Sequence, residues 1–159
     1  MIRFPDVWDY VEANFACGSY SPHGIDHWRR VHRNARILAT RTAADEPVIE
    51  LFAAYHDSCR INDASDPGHG KRGGFLAESQ RGELYELSDE QFRQLQYACD
   101  WHTDEHHHDD PTIYTCWDAD RLDLGRVGIV TSPGYLNSEF AKEICAQPGL
   151  DFVLSELAE

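Results

Sequence analysis

Four separate stretches of this chain place a histidine or an aspartate on the apolar face of a helical pattern, and this limits what the chain can fold into. His27 heads a stripe through Val31, Ala35 and Leu38, all at helical spacing. The apolar run 51–55 passes directly into His56 and Asp57. His102 closes the stripe of Phe92, Leu95, Ala98 and Cys99, and Asp120 shares a face with Ile113, Cys116, Trp117 and Leu124. A carboxylate buried without a partner is costly. A fold that buries these four faces must therefore bring the polar groups to one another, or to a cation.

The remaining pattern is also helical, and segments with strand-like alternation are hard to find. Helices are predicted over residues 5–15 and 25–42, and from Asp45 as cap, with Pro47 in the first turn, to about residue 59. Asn, Asp, Pro and Gly mark 61–74 as a loop, with a short helix following over about 72–84. Ser88 and Gln91 match a capping box, and Leu87 and Phe92 stand where a hydrophobic staple would, so a helix is predicted from 88 to about 102. Asp110 and Pro111 open another that ends near 125, and a last one covers 137–146. The tail from Leu150 is short and apolar enough to pack. The expectation is a single compact all-α domain over 1–159, with six or seven helices.

Charge narrows the partners. The 159 residues carry 28 acidic against 14 basic side chains, a formal net charge of −14. That argues against a standing nucleic-acid or anionic-membrane partner. A small phosphorylated substrate stays compatible, because a bound cation reverses the local sign. The five cysteines (17, 59, 99, 116 and 145) form no C-x-x-C pair and read as reduced thiols of a cytoplasmic protein. No signal-peptide pattern opens the chain, and no apolar run is long enough to span a bilayer. Nine histidines are the unusual count.

In chain order, "HWRRV" carries His27, "AAYHD" carries His56 and Asp57, and "ADRL" carries Asp120. This order and these flanks resemble the HD-domain superfamily of metal-dependent phosphohydrolases, over about residues 24–127. His69 in "DPGHGKRGG" and His102 in "YACDWH" extend the likeness to the H–HD–H–H–D pattern of its two-metal members. The resemblance implies an HD-type helical domain in which His27, His56, Asp57 and Asp120 hold one divalent ion. Asp57 would bridge to a second ion, completed by His69 and His102. The mixed nitrogen and oxygen set suits iron, manganese or zinc. Asp118, on the face of Tyr114 and Leu122, is the alternative to Asp120, and His106 is the alternative to His102.

The implied activity is hydrolysis of a phosphomonoester or phosphodiester, possible nucleotides included, by metal-activated water. Asp57 and Asp63 are the candidate catalytic carboxylates, Asp63 to orient water or protonate a leaving group. Lys71 and Arg72 are the first candidates for holding substrate phosphate, ahead of Arg60, Arg121 and Arg126. His23 is a substrate contact or a turn residue, and His32 is expected to be exposed. The run "DEHHHDD" reads as a solvated loop near the site mouth, because consecutive loop side chains diverge. No GYP signature of cyclic-dinucleotide phosphodiesterases is present. Two other readings share the ligand series: a di-iron oxygenase of the same family, and a non-catalytic nucleotide-binding module.

Overall fold

The reciprocal cap expected at Ser88 forms: its hydroxyl accepts from the Gln91 N–H, and the Gln91 side chain accepts from the Ser88 N–H. The computed structural model describes residues 4–159, and this cap starts one of the eight α-helices among the described residues. In order these are α1 (Phe4–Ala13), α2 (Ile25–Ala39), α3 (Glu46–Tyr55), α4 (His69–Gln80), α5 (Asp89–Trp101), α6 (Pro111–Arg121), α7 (Glu139–Cys145) and α8 (Leu150–Leu157). Two 3₁₀ turns, Leu124–Val127 and Pro133–Tyr135, lie between α6 and α7. Asp45 and Asp110 cap α3 and α6 as expected, each followed by a proline in the first turn. Among the described residues there is no β-strand, only an isolated bridge between Arg81 and Tyr85. None of the described helices is long and apolar enough to cross a membrane.

α3 is buried along nearly all its length: Val48, Ile49, Leu51, Phe52, Ala53, Ala54 and Tyr55 are all fully buried. A helix that is apolar all round belongs in a core. α1, α2, α4, α5 and α6 all pack against it. Polar ties hold the surrounding shell. The Asn34 amide on α2 donates to Ala119 O of α6 at 3.1 Å, and Trp117 Nε1 of α6 donates to Ala98 O of α5 at 3.0 Å.

The structure differs from the sequence expectation in several places, α2 ending at Ala39 and α6 at Arg121, each short of its expected end. The count is eight helices, because the apolar tail is itself a helix, α8, rather than a packed extension. α3 stops at Tyr55, leaving His56 as its C-cap and Asp57 in the following turn. α4 begins at His69, inside the segment whose glycines read as loop. Gly68 takes φ of 85° just before it, a conformation that suits glycine. The glycines within α4 serve contact instead. A Cβ on Gly70 would lie 2.2 Å from Cys99 O, and one on Gly73 would lie 2.2 Å from Tyr55 O. α4 therefore presses its backbone against the ends of α5 and α3, which carry His102 and His56.

Gly73→Ala gains helix propensity but forces a Cβ onto a backbone oxygen, so the clash should win. The expected result is a loss of roughly 1–3 kcal/mol in urea unfolding. Gly125→Ala, with nothing within 4 Å of the new carbon, should stay within about 0.5 kcal/mol of the parent. A Gly73→Ala protein as stable as the parent would contradict this packing.

Candidate metal centre

The ends of five helices meet beside the polar end of α3. His56 caps α3, His102 caps α5 and His69 opens α4. α2 brings His27, and α6 brings Asp120. Asp57 sits between them, buried, with its two oxygens facing opposite ways. Oδ2 is 3.5 Å from His27 Nε2 and 3.8 Å from His56 Nε2. Oδ1 is 3.0 Å from His69 Nε2 and 3.5 Å from His102 Nε2. Asp120 Oδ1 joins the first group, 3.3 Å from His27 Nε2 and 3.8 Å from His56 Nε2.

The hydrogen bonds on the far side of each ring decide what this cluster is. His56 Nδ1 lies 3.0 Å from Phe52 O, His69 Nδ1 lies 2.7 Å from Asp66 O, and His102 Nδ1 lies 2.7 Å from Cys99 O. His27 Nδ1 lies 2.7 Å from Asp123 Oδ2. Carbonyl and carboxylate oxygens only accept, so the network assigns the proton to Nδ1 in every ring. In a neutral imidazole, Nε2 then offers a lone pair. Two such atoms face each other at 3.0 Å between His27 and His56, and again at 3.0 Å between His69 and His102. Asp120 Oδ1 is buried without a hydrogen bond. Acceptors converging on acceptors are unfavourable unless a cation lies among them.

The charge states suit that role. Burial is the largest influence on His56 and pushes its pKa down to about 3, so the ring stays neutral. Burial alone would raise the carboxyls of Asp57 and Asp120. At Asp57 it is outweighed by His56 and by the rings of His102, His23 and His69 beside it, which hold the carboxyl well below its usual range. At Asp120, the neighbouring His27, His56 and Arg126 have the same effect. Burial lowers His27 and His102, but the carboxylates beside them prevail and raise both. A bound ion would compete with those protons. Thus His27, His56 and Asp57 form one buried set able to hold a metal ion, and Asp57, His69 and His102 form another.

The cluster opens into a cavity of about 420 Å³ that Arg60, Arg126 and His23 help to line. Arg126 is fixed by Nε to Pro22 O at 2.9 Å and by Nη1 to Asp123 O at 3.0 Å. Its Nη2 is left 3.7 Å from Asp120 and 3.9 Å from Asp57. Arg60 Nε donates to Asp57 Oδ1 at 3.3 Å, and His23 Nδ1 lies 3.3 Å from Asp57 Oδ2.

Other candidates lie elsewhere. Arg72 grips both oxygens of Asp66 through Nη2 at 2.7 Å and donates to Cys59 O, so it braces the loop before α4. Lys71 is exposed, with Nζ 5.1 Å from the Trp101 ring centre, and lines an adjoining cavity of about 350 Å³ that also reaches Arg60. Asp63 is exposed and accepts from the Ser21 hydroxyl. Asp118 points away from the cluster, accepting from the N–H groups of Asn137 and Ser138 at 2.8 Å. His106 lines the cavity, His107 meets Asn137, and His108 packs beside Tyr97 and Trp117, so the three consecutive histidines diverge. His32 is half-buried, not exposed: it lies 3.5 Å from Glu50 and edge-on to Trp8.

Asp123 escaped the sequence reading. Its Oδ2 orients His27 and its Oδ1 accepts from Arg30 Nε at 2.7 Å. The available signal was its place one turn after Asp120. No protein-family model, curated protein or solved structure matches this chain.

If the acceptor cluster takes up metal, chelator-stripped protein should gain stability on adding zinc or manganese. At a hundredfold excess over Kd the gain is about 2.7 kcal/mol, or roughly 5–10 °C in Tm for a chain of this length. A Tm that ignores every divalent ion tried would contradict the assignment.

Proposed function

We propose that the protein is a two-metal phosphohydrolase acting on a small phosphate ester. The observation that carries this reading is the placement of Asp57, whose two oxygens face two separate histidine pairs, with two arginines beside it at the floor of a cavity. The order of His27, His56-Asp57, His69, His102 and Asp120, which resembles the HD-domain superfamily, supports it. Divalent ions held by His27, His56, Asp57, His69, His102 and Asp120 would lower the pKa of bound water and polarise a phosphoryl oxygen.

The chain's own groups supply the rest. The Nη2 of Arg126, held from its other two nitrogens, is preorganised to meet a phosphoryl oxygen, and Arg60 offers a second guanidinium. These two stand ahead of Lys71 and Arg72 for phosphate contact. His23, buried and lining the cavity, stands ahead of the exposed Asp63 for protonating the leaving group. Phe52 stacks on His56 and meets His102 edge-on, an apolar backing that strengthens the charge interactions beside it.

The deciding experiment is elemental analysis of protein purified without chelator, followed by phosphate release from a broad ester panel. The expected result is near two ions per chain and turnover. His56→Ala and Asp57→Ala should each lose bound metal and turnover together, while His69→Ala should fall to about one ion. Full metal content in both of the first two variants would sink the reading. Two iron equivalents with substrate-dependent oxygen consumption, and no phosphate release, would move it to the oxygenase class.

A milder change tests the orienting carboxylate. Asp123→Asn keeps the size of the side chain but removes the charge behind His27. Metal affinity should fall by about 10–100-fold, read by competition with a chromogenic chelator. An unchanged affinity would remove Asp123 from the centre's support.

A further inference from the structure

We infer that the substrate carries a single phosphoryl group on an apolar, ring-sized organic part, and that the segment between α6 and α7 selects for it. The phosphoryl half of this inference rests on the function proposed above. The organic half rests on the cavity itself.

The cavity has two chemically distinct ends. Its floor holds Asp57, Asp120, Arg60 and Arg126. Its outer wall is formed by Leu124, Val127, Ile129 and Tyr135, with His106 facing Tyr135 at a ring separation of 5.1 Å. Val127, Ile129 and Tyr135 are 38%, 52% and 50% exposed. Scattered exposed apolar residues are ordinary, but an apolar wall gathered at the mouth of a polar cavity marks a binding surface.

Charge counting limits the other end of the ligand. Among the described residues, the only lysine or arginine lining the cavity apart from Arg60 and Arg126 is Arg121. It is spent on the chain, donating to the carbonyls of Glu105, His106 and Tyr135. The outer wall thus offers no free guanidinium or ammonium to a second phosphate, and no carboxylate to an amine. A polyphosphate would leave charge against Val127 and Ile129, where burial is costly. A ring can lie on the same surface with gain. In the hydrolysis of such a monoester, water contributes the oxygen that joins phosphorus. The bond from phosphorus to the organic oxygen breaks, and that oxygen takes up a proton.

The wall is also built to keep its place. Arg121 ties Tyr135 O to α6, Thr131 Oγ1 donates to Arg121 O at 2.8 Å, and Asp118 fixes Asn137 and Ser138. It is a positioned surface, so it can discriminate.

The test separates binding from turnover. Calorimetry on metal-loaded protein compares phenylphosphonate with methylphosphonate, which share the phosphoryl end and resist hydrolysis. Phenylphosphonate should bind tighter by roughly tenfold or more. Val127→Asp and Ile129→Asp should each bring that ratio close to one, a quantity that partial unfolding does not change. Equal dissociation constants in the parent protein, or ATP binding tighter than 1-naphthyl phosphate, would overturn the inference. Turnover of 1-naphthyl phosphate is read in parallel. Preference for the ring without phosphate release would leave the apolar selection standing and overturn the hydrolytic reading.

Discussion

The carboxylate of Asp57 is the constraint on which the rest of the structure depends. It is buried at the end of the most apolar helix in the protein, where an unpaired charge would destabilise the fold severely. Five imidazoles and two guanidinium groups surround it, drawn from α2, α3, α4, α5 and the segments around them. None of the helices that deliver them could shift by a turn without leaving that charge exposed to apolar side chains. The close backbone approach of α4 at Gly70 and Gly73 follows from the same need. His69 reaches Asp57 Oδ1 only because α4 lies almost against the backbone of α3 and α5.

The imidazoles are oriented by a simple device. The last turn of a helix has carbonyls with acceptor capacity to spare, and His56 and His102 each fold back onto that turn, His56 onto Phe52 O and Ala53 O and His102 onto Cys99 O. Sequence alone encodes that contact, because it spans only three or four residues. His27 lies in the first turn of α2 and has no such option. The nearby carbonyls are taken, Gly24 O by the Trp28 N–H and His23 O by the Trp28 indole. Its partner must come from elsewhere, and it comes from Asp123, 96 positions away.

That difference explains what was legible beforehand. Periodicity placed His27, His102 and Asp120 on buried faces, and the capping residues placed the starts of α3, α5 and α6. The structure brings all six proposed ligand residues to one place. The cations were harder. Lys71 and Arg72 looked close to His69 in a loop, but the loop is helix, and two residues of helix turn Lys71 through about 200° from His69. Arg72 meets a competitor, Asp66, whose position depends on the loop path. Arg126 reaches the cluster from a 3₁₀ turn that no spacing rule anticipates. Local patterns therefore reveal ligands, while loop geometry decides which cations face them.

α6 joins the two halves of the site. On one face it presents Asp120 to the cluster, and on another Asp118 and Arg121 hold the irregular segment that forms the cavity wall. The ligand faces inward and needs dry, rigid packing. The wall faces solvent and is held by hydrogen bonds to its backbone and through Thr131 and Asn137, none of which involves the side chains of Val127, Ile129 or Tyr135. Val127, Ile129 and Tyr135 can thus be exchanged without disturbing the groups that hold them in place. A metal centre fixed by the core beside a wall fixed by groups other than its apolar side chains allows substrate preference to change while the chemistry at Asp57 stays the same.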